Sequence, residues 1–215
     1  MSNKDLQGYA ISQALNELEK FASEIDSLIE LVENKIPNKF KQSSDYKLDQ
    51  TLHAEQVTNS YWFYEWKGLS VPVLRKRSKK NVEGYLLFQF SFCGNSVSNQ
   101  LNGEYPQGMP LVHVSFWDAP LKADETYMCF PLSQTDRETS NLQLKCDNKL
   151  ILWEEENYNN LLWTFSIPLL HIVASNIDDL LLTPAYELIH SKESIHSIQF
   201  GQSIISYPSL ESISD

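Results

Sequence analysis

Apolar residues recur at Ile11, Leu15, Leu18, Ala22, Ile25, Ile29, Val32 and Ile36, in steps of four and three without a break. That spacing gathers them on one side of a 3.6-residue repeat and predicts a long amphipathic helix over residues 1–37. Pro37 marks the expected end, because it lacks a backbone donor and drives Ile36 away from helical geometry, and a polar linker from Asn38 to Asp45 follows. Ser2 or Asn3 is the candidate cap, while Gly8 weakens the first turn. Ala14, Phe21 and Leu28 add a third apolar position per seven residues, so the stripe is wider than the seam of a two-stranded coiled coil. Two fates follow for this face: docking on the chain's own body, or self-association and partner binding. Ile11, Leu15, Leu18, Phe21, Ile25, Leu28, Ile29 and Val32 are accordingly the candidate binding residues.

Beyond the linker the period changes to two. Leu86, Phe88, Phe90 and Phe92 alternate with Leu87, Gln89, Ser91 and Cys93, which predicts a strand over 85–93 with one face in the core. The aromatic run Tyr61 to Trp66 and the short Val71 to Leu74 read as strands before it, with Arg75 to Gly84 as a polar turn. Leu111 to Asp118, Tyr127 to Leu132 and Leu161 to Ile167 read as further strands, and Leu142 to Cys146 pairs with Leu150 to Glu154 across Asp147, Asn148 and Lys149. Ser175 with Asp178, and Thr183 with Pro184, look like helix starts, so one or two short helices are expected between Asn176 and His190. Ile195 to Tyr207 is a candidate final strand, and residues 208–215 a loose tail. The expected class is α+β: a long N-terminal amphipathic helix (1–37), a mainly antiparallel β-rich body (38–207) with one or two short C-terminal helices, and a flexible tail (208–215).

Composition adjusts this picture little. The 215 residues, 42% of them apolar, suffice for one body with an appended helix. A formal charge of −11 repels phosphates and anionic lipid on average. With no apolar run of membrane-spanning length and no secretory leader pattern, the expectation is a cytoplasmic protein without a membrane partner. Cys93, Cys129 and Cys146 are odd in number and lack C-x-x-C spacing, which suits buried thiols in a reducing compartment better than a disulfide framework or a zinc knuckle.

Candidate chemistry is sparse. No nucleotide-binding glycine loop, H-E-x-x-H or EF-hand pattern is present, and Gly94-Asn95-Ser96-Val97-Ser98 lacks the second glycine of a nucleophile elbow. No cofactor and no metal site is expected; His53, His171, His190 and His196 are dispersed, and acidic pairs such as Asp124 and Glu125 or Asp178 and Asp179 suit solvated turns or helix starts. His113 shares a strand face with Ser115 and Trp117, next to Asp118, and is the one candidate acid-base residue, near a long loop from Gly94 to Gly108 where function concentrates. Arg75, Lys76, Arg77, Lys79 and Lys80 bring five of the seventeen basic residues together. Beside the aromatic run they form a candidate anion or nucleic-acid contact. The leading expectation is a non-enzymatic interaction protein of inhibitor, immunity or accessory-subunit type, holding a protein partner or a second copy through its helix and acidic surface. Nucleic-acid binding is the alternative, and an enzyme centred on His113 a second alternative.

Overall fold

The structure, a computed structural model, describes residues 3–41, 43–48, 55–58, 66–77, 82–92, 109–121, 141–154, 162–190, 195 and 198–207. It is an α+β fold, with a long first helix followed by an antiparallel sheet and a short last helix. Of the strand expected over Tyr61 to Trp66 only Trp66 is described, as the start of a longer strand, and the strand expected at Tyr127 to Leu132, the loop from Gly94 to Gly108 and the 208–215 tail lie outside the described residues.

Helix α1 spans Asn3–Phe40, one turn further than Pro37 suggests. The Lys41 N–H still bonds to the Pro37 carbonyl at 3.0 Å. Packing overrides the roughly 3 kcal/mol interior cost of proline. Phe40 is buried and meets the Tyr186 ring edge-on at 5.4 Å, and the Lys39 ammonium bonds to the Thr183 hydroxyl at 2.7 Å. The last turn is thus held from outside the helix.

Eight strands form one antiparallel sheet among the described residues: β1 (Tyr46–Leu48), β2 (Glu55–Thr58), β3 (Trp66–Arg75), β4 (Val82–Ser91), β5 (Leu111–Trp117), β6 (Asn141–Lys145), β7 (Leu150–Glu154) and β8 (Leu162–Pro168). The order is β1-β3-β4-β5-β8-β7-β6, with β2 sharing the β3 edge with β1. Strand β3 is longer than its Val71 to Leu74 centre suggests, because Gly68 and Ser70 belong to it. A Cβ at Gly68 would stand 2.4 Å from Leu121 Cδ1, so glycine here makes room for a neighbour instead of marking a turn. Pro72 is tolerated because β2 pairs with residues up to Ser70 and β1 begins at Val73, leaving position 72 without a partner on that edge. Similarly, β4 begins at Val82, inside the segment read as a turn. A register shift between Val73 and Leu74 bulges it at Glu83, and a Cβ on Gly84 would meet Phe116 Cζ at 2.5 Å.

The β6–β7 hairpin has the expected register, Leu142 opposite Trp153 and Lys145 opposite Leu150. Its turn takes three consecutive left-handed residues, Cys146, Asp147 and Asn148 at φ 54°, 56° and 62°. After β8 come a 3₁₀ turn (Leu169–His171), a π turn (Asp178–Leu182) and helix α2 (Thr183–His190), in the expected place but without a side-chain cap at the π turn. Asp178 instead pairs with Lys35 of α1. The segment through Ile205 and Tyr207 forms no strand. Since β7 pairs β8 only as far as Thr164, the Ser166 carbonyl stays free to accept the Ile205 N–H at 2.9 Å, and Asn148 accepts Tyr207 N–H at 2.8 Å.

Alternation gives the sheet two faces, and both are buried. On the first, Leu69, Val71, Phe88, Phe90, Val112, Val114, Phe165 and Ile167 pack with Ile25, Ile29, Val32, Ile36 and Phe40 of α1 and Ile177, Leu181, Ala185 and Leu188 near the end. The second carries two smaller apolar clusters, one around Trp66, Leu87 and Leu121 and the other around Leu111, Trp153, Ile205 and Tyr207. Between them runs a strip of buried polar side chains, Ser70, Gln89, Ser91, His113, Ser115, Thr164 and Ser166. The sequence pattern predicts one core face; the polar parity of β4 and β5 is a second interior.

Candidate functional site

The apolar stripe of α1 divides into two halves. From Ile25 onward every third or fourth residue is buried against the first sheet face, and Ile29 and Val32 are fully enclosed. Phe21 and Leu28 are partly buried beside them, with Phe21 edge-on to Phe92 at 5.4 Å. Ion pairs Asp26–Lys67 and Lys35–Asp178 flank this half. Residues 9–20, by contrast, are all exposed. Tyr9, Ile11, Leu15 and Leu18 stand at 59, 62, 55 and 42% exposure, the last three on the same stripe as the buried residues. Local contacts there stay on the helix itself, namely Lys20 with Glu17 at 2.9 Å and Gln13 with Tyr9 at 3.2 Å. A monomeric body gains nothing from apolar residues at this spacing on a face it does not touch.

The basic segment is less available than its composition suggests. Arg75 ends β3 and pairs with Glu83 at 3.1 Å, and the Lys76 ammonium donates to the Ser43 carbonyl at 2.5 Å. Arg77 is exposed in the following turn, and Lys79 and Lys80 lie outside the described residues. Of the three cations among the described residues, two thus make contacts within the fold, Arg75 with Glu83 and Lys76 with Ser43.

His113 projects with Ser115 and Trp117 from one side of β5, as its parity requires. It is 1% exposed, and burial pushes its pKa down from 6.5 to about 4. The register sets it directly opposite Gln89 on β4 and Ser166 on β8. Its Nδ1 lies 2.6 Å from Ser166 Oγ, and that hydroxyl lies 2.5 Å from the Tyr207 hydroxyl. Ser166 and Tyr207 were signalled only by polar parity in the last strand and by a tyrosine in the tail, neither of which points to His113. Ser166 is 0% exposed and its hydroxyl lies between His113 and Tyr207, so the chain of polar groups links β5, β8 and the C-terminal segment inside the fold.

A second serine–histidine contact joins Ser43, just after α1, to His190 at the end of α2. Ser43 Oγ already accepts the N–H groups of Tyr46 at 2.9 Å and Asp45 at 3.3 Å, so its own hydrogen goes to His190 Nε2, and Nδ1 donates to the Tyr186 carbonyl at 2.8 Å. With its lone pairs occupied and its side chain buried, Ser43 closes a turn instead of attacking a substrate. Cys146 is a free, half-buried thiol whose Sγ donates to the Ile195 carbonyl at 3.0 Å, and burial, with Asp147 adding to it, raises its pKa above the usual 9.0. Cys93 and Cys129 lie outside the described residues. Among the described residues no three His, Cys, Asp or Glu side chains converge as metal ligands, and no helix is long and apolar enough to cross a membrane. The chain matches no protein-family model, and neither a curated protein nor a solved structure matches it.

Proposed function

We propose that this chain is a non-enzymatic, cytoplasmic interaction module of inhibitor, immunity or accessory-subunit type, which holds a protein partner along the first half of α1. One observation carries the reading: a single apolar stripe is covered by the body from Ile25 to Phe40 and continues uncovered through Leu18, Leu15 and Ile11. Helix-in-groove recognition uses anchors at this i, i+4, i+7 spacing. Glu17, Glu19 and Glu24 beside the stripe favour a partner with basic residues at its rim. The free thiol of Cys146 supports the reducing compartment.

The test uses two altered proteins. One begins at Phe21; a chain beginning near Phe40 would strip the first sheet face of its cover and is uninformative. The other carries Leu15→Glu and Leu18→Glu in the full chain, changing only exposed positions. Capture of binding proteins from the native cell and mass by light scattering are measured for each. Loss of capture, or of a self-associated form, in both proteins with an unchanged circular-dichroism melt of the body is expected. Capture and mass identical to the unaltered chain would remove the helix from the function.

A further inference from the structure

The second sheet face offers an observation independent of the helix. Gln89 Oε1 and Nε2, Ser91 Oγ and His113 Nε2 are buried and have no hydrogen-bond partner among the described residues. They are neighbours: Gln89 faces His113 across β4 and β5, about 5 Å apart at Cβ, and Ser91 follows Gln89 on the same side of β4, about 7 Å along the strand. Polar groups elsewhere in the strip are satisfied. Thr164 donates to Ser115 at 2.8 Å, Ser70 accepts the Leu121 N–H at 2.9 Å, and Ser166 touches both His113 and Tyr207. The deficit is confined to one spot where three residues meet. Four buried polar atoms left unpaired would cost free energy comparable to the whole stability of a domain, so a partner belongs there.

We propose that Gln89, Ser91 and His113 form a binding site for a small uncharged molecule with an amide-type edge, that is, an acceptor carbonyl beside an N–H donor. The Gln89 amide presents the complementary pair, one carbonyl acceptor and two N–H donors. Ser91 serves as donor or acceptor. His113 Nε2 is adjustable as well, because the Ser166 and Tyr207 hydroxyls rotate, and the role Nδ1 takes toward Ser166 fixes the role left to Nε2. Charge selects against ions: the paired positions around the site, from Trp66, Gly68 and Ser70 across Leu87 and Leu111 to Thr164, Ser166 and Pro168, include no Lys, Arg, Asp or Glu. An ion there would be buried without compensation. The low pKa of His113 agrees with a site kept neutral. Trp66, opposite Ser91, with Leu87 and Leu121 supplies an apolar flank, and Leu111 with Tyr207 stands on the other, the mixture of apolar wall and few polar groups that small-molecule sites use.

The test follows the His113 ring resonances of the full chain by NMR while acetamide is added, with acetate and acetamidinium as charged molecules of like size. Four heavy atoms limit the dissociation constant to roughly 0.1 to 100 mM. Acetamide is expected to shift the resonances saturably in that range, the two ions are not, and the shift is lost in Gln89→Met, which replaces the amide by an apolar chain of similar length. Should Gln89→Met fail to fold, Ser91→Ala is read in the same way, with at least a several-fold weaker response expected. Absence of a saturable acetamide shift, an equal response to acetate, or an undiminished shift in the altered protein would overturn the site and assign these atoms to ordered water.

Discussion

At the scale of the residue, His113 shows how strand parity and environment act together. Alternation places it on a face that looks solvent-facing in sequence, because Gln89, Ser91 and Ser115 share that parity. Its burial depends on Trp66, Leu121, Ile205 and Tyr207, residues from three separate stretches that no local pattern links to it. So the side of the strand was legible, and the enclosure was not. A consequence for acid stability follows. In the folded protein the imidazole takes its proton near pH 4, and in the unfolded chain near 6.5. Between those values the unfolded state binds more protons, so stability is complete for this group above about pH 6.5 and is lost as pH falls toward 4. The whole difference is about 3 kcal/mol. Urea unfolding at pH 7.0 and 4.5 measures it: the unaltered chain should lose about 2 kcal/mol more than His113→Gln across that interval. Equal losses would mean that the folded and unfolded imidazoles titrate alike.

At the scale of the element, α1 is one helix with two different environments, and its periodicity was readable from end to end. What covers each half was not, since Leu15 and Ile29 are equivalent in sequence: each is a branched aliphatic residue on the same stripe. The difference arises from where the sheet ends. Replacing Ile29, fully enclosed by the sheet and the last helix, by alanine is expected to cost about 2 to 5 kcal/mol. Leu15→Ala, at an exposed site and with a residue at least as favourable to helix, should stay within about 0.5 kcal/mol. Chemical denaturation of the two single variants checks the contrast, and a large loss at Leu15 would mean that the free half is covered in solution. The end of the helix teaches a related lesson. Pro37 stops a helix judged alone, but Phe40 against Tyr186 and Lys39 against Thr183 extend it by one turn through contacts with residues nearly 150 positions away. Strand β3 likewise runs beyond the expected Val71 to Leu74, taking in Gly68 beside a close-packed Leu121.

At the scale of the molecule, the fold class, the hairpin register and the final helices follow from periodicity and turn signals, whereas the strand order does not. No local rule places β8 between β5 and β7, nor makes the last helix the neighbour of the first. The candidate sites divide in the same way. The helix face was visible as a pattern, the basic segment was visible but is partly engaged through Arg75 with Glu83 and Lys76 with Ser43, and the Gln89, Ser91 and His113 group emerges only once the strands are aligned.

The clasp between the two ends of the chain matters also for the order in which the protein is made. Lys35, Lys39, Phe40 and Ser43 rest on Asp178, Thr183, Tyr186 and His190, so part of the landing place of the first helix is synthesised last. At about 5 to 20 residues per second, the ribosome leaves the apolar stripe without this part of its cover for on the order of 10 s. For that interval more of the stripe than its first half is open to chaperones or to other nascent chains. Chains arrested before residue 178 should therefore be cut readily by protease within residues 25–40, and chains released after residue 207 should resist. Protection appearing as soon as β5 is complete would show that the helix docks earlier, on the first strands alone.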